Sequence, residues 1–189
     1  MPPKKKFTKE QITQAAYEIA DEFGFDGITI RKIAAKLNSS VAPIYVSFEN
    51  LDELKATLAQ KIMDAIMDLI ASDPTEDPFL DIGAANIRYA LDHPLLYKDY
   101  MLNPNCRGYF SDITKDLQPY LTRMRHSPKL EGISDEDMGS IFMKMKVFTS
   151  GVVFELLTDK KFADYDTIIS LLRDVGDDIM DAYRMRNNK

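Results

Sequence analysis

Two short stretches between Thr29 and Phe48 constrain this chain more than any other feature of its sequence. Ile30, Ile33, Ala34 and Leu37 recur at spacings of three and four, as do Ile44 and Phe48, which is the pattern of helices that each bury one side. Asn38-Ser39-Ser40 between them leaves room only for a tight turn. Asn38 stands where such a turn asks for a left-handed backbone, which asparagine tolerates better than most residues with a side chain. Ala34 is small where the two helices would approach most closely. Ser40 is placed to cap the following helix, and Pro43 falls in its first turn, where a missing N–H costs no intrahelical bond. Two helices joined in this way make a helix-turn-helix, whose second helix presents an exposed face that can enter a DNA major groove. A plain three-helix bundle without DNA satisfies the same spacing.

The rest of the chain is also helical in pattern. Thr8-Lys9-Glu10-Gln11 is a capping box ahead of a stripe formed by Ile12, Ala15, Ala16, Ile19, Ala20 and Phe23, and Gly24 ends it. After the polar turn Glu49-Asn50, a long helix is expected from Asp52 to Ala71. Asp77-Pro78 starts another, with Asp77 as cap and Pro78 at the first position, ending near Asp92. Further helices are expected over 95–102, 108–125 (kinked at Pro119), 135–158 and 164–186. No stretch alternates with period two for long enough to suggest a sheet. The expectation is an all-α chain of about nine helices, with a three-helix head over residues 1–50 and a larger helical domain over 51–189.

Composition narrows the function classes. The net charge is −6, yet residues 1–48 carry seven basic and five acidic side chains, so this part nets +2 and the remainder −8. A basic head on an acidic body suits DNA binding at one end, and a basic N-terminus serves solubility equally well. No apolar run follows Lys4-Lys5-Lys6 and none reaches the roughly 20 residues that span a bilayer, so neither secretion nor membrane insertion is expected. The one cysteine, Cys106, fits a reducing cytoplasm. Its neighbour Arg107 would lower a thiol pKa, and a bystander cysteine is the alternative. Two distant histidines, His93 and His126, make no metal site, and no cofactor is implied. Phosphate loops, nucleophile elbows and metal-spaced pairs are missing from the sequence, so an enzyme is not expected.

From the first helix to Leu54 the sequence ITQAAYEIADEFGFDGITIRKIAAKLNSSVAPIYVSFENLDEL resembles the TetR family of bacterial regulators. The resemblance is carried by Ile-Arg-Lys-Ile-Ala-Ala-Lys-Leu, by Ile-Tyr-x-x-Phe and by Glu-Asn-x-Asp-Glu-Leu. It implies a DNA-binding repressor that acts as a homodimer on a palindromic operator. It also implies that Thr29 caps the second helix and meets a phosphate, and that Ser39, Ser40, Val41, Ala42 and Pro43 lie at the groove-facing turn and helix start. Tyr45 would offer its hydroxyl to a phosphate while its ring packs beneath, and Lys55 would reach the DNA backbone. The chain departs from the family where Asn38-Ser39 replaces a glycine and an aliphatic residue. It departs again at Leu51, where the family has a lysine, which leaves Lys55 and the Lys4–Lys6 arm to supply charge. Val41, Ala42 and Pro43 cannot make bidentate bonds to base edges, so thymine methyls and DNA shape are expected to carry specificity.

The segment from Ile141 to Leu157 is apolar on more sides than one core face covers, and Ile168 to Met180 continue the pattern in the final helix. In the family such helices form the dimer interface. Aromatics and methionines are dense over 79–157, where the family encloses an effector pocket. Tyr89, Tyr100, Tyr109, Phe142 and Phe148 are its candidate lining for a small hydrophobic effector, and a packed core explains the same residues. The competing function is a helical protein–protein adaptor that keeps the head domain without using it on DNA.

Overall fold

The structure is a computed structural model that describes residues 7–72, 74–110, 118–159, 162 and 164–187. The described residues form nine α-helices and no strand: α1 (Lys9–Phe23), α2 (Ile30–Lys36), α3 (Ala42–Ser47), α4 (Leu51–Ser72), α5 (Pro78–Asp92), α6 (Pro94–Leu102), α7 (Gln118–Met124), α8 (Asp135–Thr158) and α9 (Tyr165–Asn187). Their ends follow local chemistry. The Thr8 hydroxyl accepts from the Gln11 N–H while the Gln11 side chain accepts from Thr8, a complete capping box. Asp77 accepts from the N–H groups of Phe79 and Leu80, both at 3.1 Å. Ser134 and Asp164 cap α8 and α9 through the N–H groups of Asp137 and Thr167.

The chain divides into two compact units, residues 1–65 with 93–111 and residues 66–92 with 112–189. The first therefore holds more than a 50-residue head, since it takes in the start of α4 and all of α6. Its core gathers Ile12, Ala16 and Ile19 of α1 with Phe25, Ile33, Ile44 and Phe48, and with Leu54, Leu58 and Ile62 of α4. In the second unit α5 packs on α7, α8 and α9. Gly83 permits its approach to α9, because a Cβ there would stand 3.0 Å from the Leu172 side chain. Buried Asp81 accepts from the Thr75 N–H and hydroxyl and from Arg123, the last at 3.0 Å, so a carboxylate that burial would otherwise penalise is fully engaged.

One expectation changes. The helix expected over 108–125 is shorter: turns occupy residues 104–109, residues 111–117 lie outside the described residues, and α7 covers only Gln118–Met124. The kink expected at Pro119 would fall where α7 adjoins residues 111–117, which lie outside the described residues. Among the described residues no helix is long and apolar enough to cross a membrane.

Candidate nucleic-acid interface

The first unit builds an exposed helix-turn-helix from the bottom up. Thr29 has extended backbone and its hydroxyl accepts from the Lys32 N–H at 3.2 Å, which fixes the start of α2. Ile33 and Ala34 are buried, so the helix lies flat on the core. Asn38 adopts φ 49°, the left-handed conformation that the turn requires. The N–H of Ser39 then bonds the Ala34 carbonyl at 2.9 Å and closes the turn.

The start of α3 differs from the expectation for Ser40. The capping position belongs to Val41, whose backbone is already helical (φ −69°, ψ −19°), and no side chain caps the helix. Val41 has no side-chain oxygen to offer an orphan N–H, and Pro43, in the first turn, has no N–H to satisfy. Ile44 and Phe48 alone anchor α3, each almost wholly buried. The opposite face carries Val41, Ala42, Tyr45 and Val46, all exposed, with Pro43 partly covered. Tyr45 is 57% exposed, so its ring stands outward instead of packing beneath. Val46, at 87%, is the most exposed large apolar side chain described. It was missing from the expected contacts, although its place one residue after Tyr45, with Ala42 four residues before it, could have identified it.

The junction between α3 and α4 is tied by side-chain hydrogen bonds. Asn50 accepts from the Glu53 N–H at 2.8 Å, and Glu53 accepts from the Glu49 N–H at 2.6 Å and from the Lys9 ammonium at 2.9 Å. The Lys9 and Glu49 bonds hold the Glu53 carboxyl below its ordinary range. Lys9 also lies over the Phe48 ring, 4.9 Å from its centroid. Thus the Glu-Asn-x-Asp-Glu-Leu sequence ties α1, α3 and α4 together. Leu51 is partly covered at the first position of α4, and Lys55 is half-buried. Lys4–Lys6 lie outside the described residues.

The segment 93–110 completes this unit. His93 Nδ1 is 2.9 Å from Asp21 of α1, and Asp99 accepts from the Phe25 N–H at 2.6 Å just after α1 ends. Tyr100 and Tyr109, two of the expected pocket residues, belong here. Tyr100 packs against Tyr97 and Phe110, and Tyr109 stacks on Phe25. Cys106 is buried, and burial together with Asp99 and Asp26 pushes its thiol up to about 11. That disfavours the thiolate which a redox role needs; the cation that acts in the other direction is Lys55.

The other three belong to the second unit. Tyr89 is buried in the core, Phe142 is buried against Tyr120 with ring centroids 4.9 Å apart, and Phe148 is half-buried. The same unit contains a hollow of about 300 Å³ between the end of α4, α5 and α9, whose lining includes Leu69, Leu80, Ala84, Arg88, Ile169 and Arg173. It also leaves Val147 and Phe154 of α8 67% and 50% exposed.

No known family's sequence profile matches the chain. Curated relatives are nonetheless similar to it. A helix-turn-helix-type transcriptional regulator of Bacillus subtilis, YobS, is 27% identical over 106 residues, which are 54% of this chain and 56% of that protein. A second, from Mycobacterium tuberculosis, is matched over 47% of its length; the chain thus spans about half the length of these relatives. The match to the tetracycline repressor protein class D of Escherichia coli is longer, 28% identical over 182 residues, covering 89% of this chain and 78% of the repressor. Among solved structures, the fatty acid degradation regulator FadR from Bacillus halodurans aligns over 94% of this chain and 96% of its own, with 20% identity and a TM-score of 0.63. BioQ with its double-stranded DNA operator aligns over 90% and 98%, with 20% identity and a TM-score of 0.58. At such identities the structural likeness is one of fold.

Proposed function

We propose, for a chain that has the fold of the TetR-like regulators and is related in sequence to helix-turn-helix transcriptional regulators, that it is a cytoplasmic ligand-responsive repressor binding a palindromic operator as a homodimer. One observation carries the reading: α3 is pinned by Ile44 and Phe48 alone and turns Val41, Ala42, Tyr45 and Val46 outward. A helix held by one side, with apolar residues left in water on the other, is arranged to meet something there. The major groove accepts such a helix, and thymine methyls are the partners that valine and alanine can read. Thr29 and the Tyr45 hydroxyl would meet phosphates, Ser39 and Ser40 would line the turn beside them, and Lys55 would add charge at the start of α4.

Dimerisation is assigned to α8 and α9, where exposed Val147 and Phe154 form an apolar strip with open Gly151 between them. A small hydrophobic effector is assigned to the second unit, whose described hollow reaches the size of small-molecule sites.

The test is binding to the palindromes upstream of the protein's own gene, measured against salt. Phosphate contacts release counterions, so affinity should fall steeply as salt rises. In a binding-site selection, Tyr45→Phe should weaken all sequences alike, whereas changes at Val41, Ala42 or Val46 should alter the preferred bases. A flat salt response, or a selected sequence indifferent to all three, refutes the reading.

A further inference from the structure

We infer that Tyr109 is a positioning residue for the DNA-facing start of α4, set there to restrain Asp52 and to keep Lys55 available for a phosphate. The inference rests on the proposed DNA reading and adds to it a residue far away in sequence.

The first turn of α4 holds two carboxylates, Asp52 and Glu53, which favour the positive end of the helix. Next to DNA they are a liability, because a carboxylate repels phosphate. Glu53 is already engaged by Lys9 and by the Glu49 N–H. Asp52 is exposed, and its partner is the Tyr109 hydroxyl, which donates to it at 2.6 Å across 57 residues of sequence. The same phenol ring lies beneath the Lys55 ammonium, with 5.9 Å from nitrogen to centroid, at the edge of cation–π reach. Asp52 and Lys55 are three residues apart on one helix, a spacing at which they would pair with each other. Yet Lys55 has no ion-pair partner among the described residues. One aromatic residue therefore holds the anion and supports the cation of a single helical turn.

Tyr109 is itself well placed for this. Its ring stacks on buried Phe25 at 6.4 Å and 28°, and its N–H bonds the carbonyl of buried Cys106 at 2.9 Å. The bond to Asp52, with burial behind it, pushes the phenol up to about 12, so it remains a donor at neutral pH. A hydrogen bond to an exposed aspartate stabilises a fold only weakly. What the arrangement controls is the direction of charge.

The experiment uses the full chain and a short duplex of mixed sequence, for which phosphate contacts dominate affinity and no operator need be known. Lys55→Gln should lower the slope of log affinity against log salt by about 0.9, the value of one phosphate contact. Tyr109→Phe, which keeps the ring, should weaken low-salt binding about threefold to tenfold, as expected when one charge near a phosphate is misdirected. That loss should vanish in an Asp52→Asn background, because no carboxylate is left to release, and thermal midpoints should stay near the wild-type value. A Tyr109→Phe protein that binds like wild type, or loses as much affinity beside Asp52→Asn as without it, overturns the inference and leaves the DNA reading intact. A wild-type chain that binds no duplex overturns both.

Discussion

Asn38 carries more conformational demand than any other single residue in the head. It is the only non-glycine residue with positive φ among those described, and the turn that aims α3 depends on it. A Cβ-branched residue cannot take this conformation without strain, whereas asparagine tolerates it better than most residues with a side chain. Asn38→Val should therefore cost about 1–2 kcal/mol of stability, and Asn38→Gly should be neutral or slightly stabilising. Denaturant titration of the three proteins would measure this; a valine variant as stable as wild type would mean that the turn is not under strain. Asparagine at this place could be read from the sequence because the requirement is local. The same is true of Thr8 and Thr29, whose caps involve the residues three positions on. Ser40 was misread for a related reason: the helix begins one residue later, so the hydroxyl sits outside the position from which it could cap.

At the scale of elements, α1, α3 and α4 are joined by one carboxylate. Glu53 takes hydrogen bonds from Lys9 and from the Glu49 N–H, and both lower its pKa below the ordinary value. Such a group contributes stability fully above its unfolded pKa, and the contribution is lost as the pH falls through the lower folded value. Glu53→Gln should thus reduce the thermal midpoint at neutral pH, and the gap to wild type should begin to shrink as the pH drops below about 4, where the unfolded carboxyl is protonated, and close only below the lower folded value. A gap that widens on acidification would contradict the assignment. The helices themselves could be placed from their periodicity, and the Glu-Asn-x-Asp-Glu-Leu motif could be recognised. What the motif does could not, because Lys9 lies 44 residues away. Asp99 on Phe25, His93 beside Asp21 and Tyr109 on Asp52 were illegible in the same way. Each joins residues 57 to 74 positions apart, and nothing in the local pattern records such a pairing. Aromatic density suggested a pocket for Tyr100 and Tyr109, and the pattern has no means of telling a pocket wall from a brace behind a helix.

For the whole molecule, the apolar character of α3 becomes an argument about copy number. On the proposed reading, an apolar helix makes few bonds to bases, so one head would discriminate weakly and two heads joined in one particle would be needed for a useful operator affinity. The surface to which we assign that joining is on α8. Val147, Gly151 and Phe154 follow at intervals of four and three along one face, and apart from its chain neighbours and its own helix backbone no described atom lies within 4 Å of where a Gly151 Cβ would be. A glycine on an open helix face weakens that helix, and the weakness is useful only if another backbone comes close. Glutamate at Val147 and at Phe154 would place four carboxylates in a two-fold interface, which the dimer could not bury unpaired. Light scattering should then give the 21.6 kDa of a single chain where wild type gives twice that mass. Affinity for a two-half-site palindrome should fall by about a hundredfold or more while affinity for an isolated half-site stays unchanged, because only the linkage between heads has been removed. A double variant that still scatters as a dimer would move the interface off α8, and one that is monomeric yet binds the palindrome undiminished would show that a single head suffices.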